Sequence, residues 1–268
     1  MTKLLKRLLI TGAGGGLGKV ARERLSYIAD TIRVSDIVDL GAAAPHEEIV
    51  NCDLADYDAV NDLVAGCDGV VHFGGISVED SFSRILKANI EGVYNLYEAA
   101  RKNGGPRIFM ASSNHVVGFH RQDRRLDANA PLRPDGLYGV SKCFAENLAS
   151  MYHDKFGVET ALVRIGSSYP EATNRRFLAT WLSYDDLISL IVYVFEAPKL
   201  GCPVIYGVSD NDTVWWDNSS VRYLGWRPKD NSAVFRDRVY ANEPDPGPDD
   251  PVAIYQGGKF TQDPIIED

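Results

Sequence analysis

The sequence has few of the features that mark secreted, membrane-spanning or metal-dependent proteins. Its 268 residues contain four cysteines, without C-x-x-C spacing, and five histidines, without ligand spacing such as H-E-x-x-H. We therefore expect buried free thiols and no metal site. No apolar run approaches the roughly 20 residues of a membrane span, and the N-terminus lacks the apolar core of a signal peptide. These absences favour a cytoplasmic protein.

Positive charge is also scarce. The chain carries 28 lysines and arginines against 37 acidic residues, a formal net charge of −9. This balance argues against nucleic acid or an acidic membrane surface as a partner. The hydrophobic share of 45% and the charged share of 24% are ordinary for a globular protein. The sequence shows no internal repeat and no low-complexity segment.

A glycine-rich stretch near the N-terminus has the pattern of a phosphate-binding turn. The apolar run Leu8–Ile10 predicts a buried strand, and helical periodicity begins at Leu17. Between them, Gly12, Gly15 and Gly18 form a G-x-x-G-x-x-G pattern. A strand, a glycine turn and a helix N-terminus leave unpaired amides that can bind a pyrophosphate. A plain glycine-rich connection is the alternative.

An acidic residue follows the second predicted strand. Residues 32–35 read as that strand, and Asp36 comes directly after it. A carboxylate at this position can accept hydrogen bonds from an adenosine ribose and would repel a 2′-phosphate, which favours NAD over NADP. The alternative is that Asp36 only solvates the end of the strand.

The remainder of the chain alternates between predicted strands and helices, which indicates an α/β fold with a doubly wound parallel sheet of the Rossmann type. Further strands are predicted at 48–52, 69–73, 106–111, 160–165 and 204–208, and helices at 56–65, 82–100, 138–156 and 183–195. The acidic, proline-rich residues 242–251 predict an extended tail. We expect a single domain over 1–268, with a small C-terminal substrate-binding lobe built from about 167–185 and 200–268.

Tyr138 and Lys142 are the candidate catalytic pair. Spaced at i and i+4, they share one face of a predicted helix. A nearby ammonium favours the phenolate of a tyrosine, whose ordinary pKa is about 10, so Tyr138 can act as a general base. This spacing is common by chance, but here it follows a glycine-rich turn and a hydroxyl, Ser113, at the end of the fifth predicted strand.

The ordered set T-G-x-x-G-x-x-G, Asp36, Ser113 and Tyr138-x-x-x-Lys142 resembles the extended short-chain dehydrogenase/reductase superfamily over nearly the whole chain. The resemblance implies that Tyr138 is the general base, that Lys142 lowers its pKa and holds the ribose, and that Ser113 hydrogen-bonds the reacting oxygen. It implies an NAD cofactor held by a larger set of residues: Gly12, Gly15, Leu17, Gly18, Asp36, Asp53, Leu54, Tyr138 and Lys142.

Asn89 has two interpretations. In the pattern N-I-x-G-x-x-N-L it matches the helix asparagine of the superfamily, which the resemblance assigns to a catalytic proton relay through water. From the residues alone, Asn89 is a polar side chain on an apolar helical stripe and needs a defined hydrogen-bond partner. A structural hydrogen bond is the commoner explanation for such a residue.

Five further segments are similar to the uronate-oxidising bacterial members of this superfamily: F-G-G-I-S-V-E from residue 73, S-S-N-H from 112, G-L-Y-G-V-S-K-C-F from 136, R-I-G-S from 164 and W-W-D-N from 215. This resemblance implies oxidation of galacturonate and glucuronate at C1 with NAD to an aldarolactone. It also implies a homo-oligomer packed through helices 82–100 and 138–156. The implied substrate contacts are Ser77, Ser113, Asn114, His115, Tyr138, Ser167 and Arg176.

The choice of arginine can be examined on chemical grounds. A uronate is an anion, and the guanidinium fork suits a carboxylate bidentately. Arg175 and Arg176 are adjacent after the sixth predicted strand. The resemblance favours Arg176, while Arg175 and a pair of solvated surface arginines remain alternatives. His115 could contact the substrate or simply satisfy backbone groups.

Two other functions are compatible with parts of this pattern. A nucleotide-sugar epimerase or dehydratase uses the same scaffold and the same Tyr/Lys pair, but typically has a larger C-terminal lobe than this chain offers. A non-catalytic dinucleotide sensor commonly lacks the tyrosine or the lysine, and both are present here. The sequence does not distinguish galacturonate from glucuronate as the preferred substrate.

Overall fold

A seven-stranded, all-parallel sheet forms the centre of the molecule, with strand order β3-β2-β1-β4-β5-β6-β7. The structure is a computed structural model and describes residues 3–268. The strands are β1 (Leu5–Thr11), β2 (Ala29–Asp36), β3 (Glu47–Asn51), β4 (Gly69–His72), β5 (Arg107–Ser113), β6 (Thr160–Ile165) and β7 (Val204–Gly207). The order reverses between β1 and β4, where ligands bind in doubly wound sheets. The predicted α/β Rossmann-type fold is confirmed.

Helices cover both faces of this sheet. The longer ones are α1 (Gly16–Arg24), α2 (Tyr57–Val64), α4 (Gly92–Lys102), α5 (Leu137–Phe156) and α7 (Tyr184–Glu196). The shorter ones are α3 (Phe82–Ile85), α6 (Phe177–Thr180), α8 (Arg236–Asn242) and α9 (Pro251–Ile254). Helix α5 ends at Phe156, the residue where the sequence predicted its end, and Gly157 follows with a left-handed φ of 72°.

The central strands are apolar on both faces because helices bury both faces. In β1, Leu8 and Ile10 pack on the side of α1 and α7, while Leu9 packs on the side of α2, α4 and α5. All three are fully buried. This two-sided burial explains why β1 reads as a continuous apolar run rather than as an alternating pattern.

The helix predicted over 82–100 is interrupted in the structure. A π-helical segment, Leu86–Glu91, joins α3 to α4 and contains Asn89. The side chain of Asn89 points inward and makes two hydrogen bonds with the backbone of Ile76. Oδ1 accepts from Ile76 N at 2.8 Å, and Nδ2 donates to Ile76 O at 2.9 Å. The wider turn places this polar side chain inside an otherwise apolar stripe, which simple periodicity does not predict.

A buried ion pair joins α5 to the sheet. Arg164 on β6 donates from Nε and Nη2 to the two carboxylate oxygens of Glu146 on α5, at 2.9 and 2.8 Å. Ser112 on β5 donates to the same carboxylate at 2.6 Å. Both charged side chains are almost fully buried. Helix α5 is thereby held at a set distance from the end of β5.

The chain folds back after its acidic segment. Residues 243–250, within the segment predicted to be extended, form no helix or strand. Beyond them α9 and a 3₁₀ turn, Gly258–Gln262, return to the main body. Gln256 is fully buried there and accepts from Trp216 Nε1 at 2.9 Å. The sequence analysis assigned these residues to the C-terminal lobe but predicted neither α9 nor these contacts, because their partners lie far away along the chain.

The described residues form neither a membrane-spanning helix nor a metal-binding cluster. Residues 3–268 contain no helix that is both long and apolar enough to cross a membrane. Over the same residues, no three or more His, Cys, Asp or Glu side chains are placed to share a metal ion. All four cysteines are free thiols.

Candidate active site

A cleft of about 820 Å³ opens at the carboxyl ends of the strands. It extends from the glycine-rich turn to the C-terminal segment and brings together most of the residues that the sequence singled out. Those that line it are Gly12, Gly15, Leu17, Gly18, Asp36, Asp53, Leu54, Ser77, Ser113, His115, Tyr138, Lys142, Ser167 and Arg176. Asn89 and Asn114 lie behind the wall rather than in it.

The glycine-rich turn is too tight for side chains at two positions. A Cβ on Gly18 would lie 2.1 Å from the carbonyl oxygen of Gly12, and Gly12 itself has a φ of 68°. Gly15 is the N-cap of α1, and its N–H donates to Gly12 O at 3.1 Å. The first-turn amides of α1 have no intrahelical partner and face the cleft with the positive end of the helix dipole. The turn therefore fits a pyrophosphate.

Asp36 ends β2 and is tied to the same turn. Its Oδ2 accepts from Gly14 N at 2.9 Å and its Oδ1 accepts from Ile37 N at 2.7 Å. Oδ1 also accepts from Val38 N at 3.3 Å, but Oδ2 retains a free lone pair, so the carboxylate can still accept from a ribose hydroxyl. The predicted position of Asp36 at the strand end is what the structure shows.

Asp53 and Leu54 lie on the far wall of this half of the cleft. Asp53 accepts from Ala55 N at 3.0 Å and pairs with Lys87 Nζ at 2.9 Å, and these contacts lower its pKa. Leu54 packs against Gly74 and Gly92, where a Cβ would meet it at 2.6 and 2.9 Å. The two residues form a packed wall of the cleft that could contact a bound nucleoside.

Tyr138 and Lys142 lie on the first turns of α5, where both side chains are buried. Lys142 Nζ donates to Ala111 O at 2.8 Å and lies 5.7 Å from the centre of the Tyr138 ring. Burial lowers the pKa of Lys142 to about 8, with the Glu146 carboxylate opposing the shift. Burial raises the pKa of Tyr138 to about 12, with a Ser113 hydrogen bond opposing it. The effect of burial on the pKa of Tyr138 is therefore larger than any lowering of that pKa by Lys142 alone.

Glu79 holds the N-terminus of α5, a role that the sequence analysis missed. Its two carboxylate oxygens accept from Leu137 N at 2.8 Å and from Tyr138 N at 3.0 Å. A carboxylate at this end of a helix also complements the helix dipole. Gly136 leaves the space for it, because a Cβ there would lie 2.4 Å from Glu79 Oε2. No motif signals this contact, since 58 residues separate the partners.

The contacts of Asn89 match the structural alternative. In addition to the two hydrogen bonds with Ile76, Asn89 Nδ2 donates to Ser141 Oγ at 2.9 Å. Both Nδ2 hydrogens are therefore used. The side chain joins the loop that carries Ser77 to helix α5, and it does not reach the cleft.

The two adjacent arginines point in different directions. Arg176 lines the cleft, where Nε donates to Gln256 O at 2.7 Å and Nη1 donates to Ser167 Oγ at 3.3 Å. Arg175 faces away, with Nη1 3.5 Å from Asp245 and the guanidinium 4.5 Å from the centre of the Tyr240 ring. The structure thus separates the two alternatives that the sequence left open.

Arg176 is a partly buried cation that forms no salt bridge with an acidic side chain within residues 3–268; its contacts there are to the neutral groups Gln256 O and Ser167 Oγ. Burial lowers its pKa to about 10, which still leaves it charged at neutral pH. Asn114 lies behind it. The Asn114 amide satisfies its neighbours when its oxygen faces Arg176 Nη2 and its nitrogen donates to Ile165 O at 3.1 Å. This end of the cleft is suited to an anion.

His115 closes the same end of the cleft. Its Nδ1 lies 2.7 Å from Asp135 Oδ2, and its ring stacks on Phe260 with centroids 3.9 Å apart. The ring of Tyr138 lies 6.0 Å away. Sequence reasoning found neither Asp135 nor Phe260, because each reaches His115 through a loop that carries no recognisable motif.

A parallel doubly wound sheet, a glycine-rich turn at the switch point and a buried Tyr/Lys pair together define a dinucleotide-dependent enzyme of the Rossmann class. Uronate dehydrogenase from Agrobacterium fabrum (strain C58) is 59% identical over 263 residues, 98% of this chain and 99% of that protein. A model of the NAD dependent epimerase/dehydratase family matches residues 8–184. The chain belongs to that family.

Two solved structures support the same grouping. A mutant of the Agrobacterium tumefaciens uronate dehydrogenase, complexed with NAD, is 58% identical with a TM-score of 0.96, covering 98% of this chain and 99% of that one. Glucuronic acid dehydrogenase from Chromohalobacter salexigens is 54% identical with a TM-score of 0.96, covering 97% and 98%. Within its family, the chain lies in the branch that contains these dehydrogenases.

Replacing Asp36 by alanine should relax the choice of dinucleotide. We expect the wild-type protein to bind NAD much more tightly than NADP, because the carboxylate repels a 2′-phosphate. Asp36→Ala should weaken NAD binding by roughly 10- to 100-fold, because one hydrogen bond to a charged group is lost. The difference in affinity between NAD and NADP should also become smaller. Titration of each dinucleotide with fluorescence detection measures this. Asp39→Ala, a nearby exposed acid, serves as the control. Equal wild-type affinities would contradict the assignment.

Proposed function

We propose that this protein oxidises hexuronic acids, galacturonate and glucuronate, at C1 with NAD and releases the aldarolactone. Arg176 is the observation that carries the proposal. Its partly buried guanidinium, which forms no salt bridge within residues 3–268, lies in the same cleft as Tyr138 and Ser113. The uronate dehydrogenases that this chain matches at 54–59% identity oxidise sugar acids by name, and one of them holds NAD.

The residues present fit the dinucleotide. The turn at Gly12, Gly15 and Gly18 leaves room for a pyrophosphate, and Asp36 offers acceptors for a ribose. Lys142, next to Tyr138, has two N–H groups left after its bond to Ala111 O. NAD, when bound, supplies the hydride acceptor and, in its oxidised form, a positive charge beside the reacting carbon.

The C-terminal lobe supplies much of the proposed substrate pocket. Arg176 pairs with the uronate carboxylate, and Ser167 supports that arginine. Gln256 and Phe260 from the returning C-terminal segment close the same end. Ser77, Ser113 and His115 also line the space for the sugar ring, with Asn114 behind the wall. We propose that residues of about 167–185 and 200–268 form this lobe on a single Rossmann-type domain.

The proposed reaction needs one proton acceptor and no water. With the C1 hydroxyl between Ser113 and Tyr138, the Tyr138 phenolate takes the hydroxyl proton while the C1–H bond breaks as a hydride. The electron pair of the O–H bond forms the C1 carbonyl, and because the ring stays closed, the product is a lactone. Since burial favours the neutral phenol, the cationic surroundings of the loaded site must lower its pKa. Ser113 and Lys142 orient and stabilise the phenolate.

We also propose that the protein is a homo-oligomer. Helices α4 and α5 expose the large apolar side chains Tyr94, Val140 and Phe156 by about half each, and such residues favour association with a second copy. A dimer or larger assembly is therefore expected in sedimentation velocity experiments. A stable monomer at micromolar concentration would contradict this proposal.

Tyr138→Phe should abolish most turnover but leave the cofactor bound. Removing the phenolic oxygen removes the base, and such a loss typically costs ~10²–10⁴-fold in rate. The wild-type rate should rise with pH, because the deprotonated phenol is the reactive form and burial raises its pKa. NADH absorbance measures turnover, and NAD titration tests binding. Tyr152→Phe is the matched control, since this α5 tyrosine donates to Glu98 away from the cleft. A nearly full rate in Tyr138→Phe would place the base elsewhere, with His115 the first candidate.

Arg176→Ala tests the proposed function itself. NADH absorbance should show turnover of wild-type protein with galacturonate and glucuronate, and weak turnover with neutral aldoses. Loss of one charge-assisted pair should raise KM for uronates by about 10- to 150-fold, equivalent to 1.5–3 kcal/mol. Arg176→Lys should recover only part of the affinity, because an ammonium lacks the fork.

Arg175→Ala is the control, since its side chain contacts Glu243 and Asp245 rather than the cleft. Turnover of galactose should be almost unaffected by Arg176→Ala. An equal loss on both substrates would make Arg176 a structural residue. If the wild-type protein produced no net NADH with any uronate, the epimerase or dehydratase alternative would gain support, because those enzymes recycle their cofactor.

A further inference from the structure

The imidazole of His115 is held on two sides by residues that do not themselves reach the reacting centre. Asp135 Oδ2 lies 2.7 Å from Nδ1, and Phe260 stacks on the ring at 3.9 Å with 28° between the planes. Asp135 fixes the rotation of the ring about its own axis, and Phe260 fixes its plane. His115 lines the cleft, and its Nε2 makes no hydrogen bond with any residue from 3 to 268.

The Asp135 carboxylate has no freedom to adopt another arrangement. Its side chain is 1% exposed. A Cβ added to Gly118 or to Gly257 would lie 1.8 or 1.9 Å from Asp135 Oδ2, so the carboxylate lies directly against two glycine backbones. Larger residues at either glycine would displace it. The fold therefore reserves a tightly shaped space for this one carboxylate.

Keeping a carboxylate there is costly. Asp135 Oδ1 is buried and has no partner among the described residues. An unpaired, buried acceptor on a charged group disfavours the folded state, and a hydrophobic residue would avoid that cost. The only hydrogen bond that Asp135 makes within residues 3–268 is the one to His115. Its orientation of that ring is therefore the function that could offset its burial.

We propose that Asp135 is a positioning residue that keeps the proton of His115 on Nδ1, so that Nε2 presents a lone pair to a ring hydroxyl of the sugar. A nitrogen that contacts a carboxylate at this distance carries the proton, and in a neutral imidazole the other nitrogen is then an acceptor. Burial lowers the pKa of His115, with Asp135 opposing, which supports the neutral form. This inference rests on the proposed function.

The two polar side chains at this end of the cleft, Arg176 and His115, then select different groups of the substrate. An ionised uronate donates hydrogen bonds only through its hydroxyls, so the Nε2 lone pair can be satisfied only by a hydroxyl. Arg176 is a donor only and therefore takes the carboxylate. The Asp135 charge behind His115 repels an anion placed there. The geometry thus specifies which end of the sugar acid faces which wall.

Asp135→Asn tests the proposal in the full-length protein, with Asp123→Asn, an exposed acid in a surface loop, as the matched control. The amide can donate to Nδ1 and move the proton to Nε2. We expect kcat/KM for uronates to fall about 10- to 100-fold, because one buried hydrogen bond to the substrate is lost. Most of the fall should come from a higher KM. NAD affinity should stay unchanged. Across a panel of monodeoxy uronates, the analogue that lacks the recognised hydroxyl should be equally good for wild type and Asp135→Asn.

Either of two kinetic results would overturn the proposal. One is an unchanged kcat/KM in Asp135→Asn, and the other is the same fold reduction of kcat/KM for every deoxy analogue. The tautomer can be read independently from ¹⁵N NMR of labelled protein without substrate. His115 should show a protonated Nδ1 and an unprotonated Nε2, and the reverse pattern would also overturn the proposal. If Asp135→Asn fails to fold, the wild-type spectrum alone tests whether the proton is on Nδ1. If wild type does not oxidise uronates, the proposed function fails, while the spectrum still judges the role of Asp135.

Discussion

The buried ion pair between Arg164 and Glu146 is the contact on which the geometry of the site depends. It joins β6 to α5, and Ser112 adds β5 to the same carboxylate. Helix α5 carries Tyr138 and Lys142, and β5 ends in Ser113, so this pair sets the separation of the proposed base, Tyr138, from the Ser113 hydroxyl. Removing one partner of such a pair typically costs 3–5 kcal/mol, roughly, because the other charge stays buried. The active site is therefore coupled to the stability of the core.

Burial is also the common cause of the ionisation states in the cleft. It raises the pKa of Tyr138 to about 12, lowers that of Lys142 to about 8, and lowers that of His115. In each case the neutral form gains, because the charged form loses its hydration. In the mechanism that we propose, the positive charge that makes the Tyr138 phenolate accessible would be supplied by the bound cofactor, so cofactor binding would activate the base.

The C-terminal segment completes the site from a distance. The buried side-chain amide of Gln256 donates to the carbonyls of Arg121 and Arg124 and accepts from Trp216, while its backbone carbonyl accepts from Arg176, so one residue joins three other parts of the chain. Phe260 then lies against His115. Arg176, which we propose binds the carboxylate, and His115 are therefore supported by the same segment, which follows the residues 242–251 that the sequence predicts to be extended.

The sequence by itself determined the features that depend on local spacing. Leu8–Ile10 with the glycines from Gly12 to Gly18 specifies a strand, a turn and a helix, and Tyr138 and Lys142 share a face because a helix repeats every 3.6 residues. Only the tertiary structure decided which of Arg175 and Arg176 enters the cleft. It alone brought Glu79 to the start of α5, turned Asn89 inward on a π turn, and placed Asp135 and Phe260 against His115. Those contacts join residues tens to more than a hundred positions apart, and no local period records which distant loops will meet.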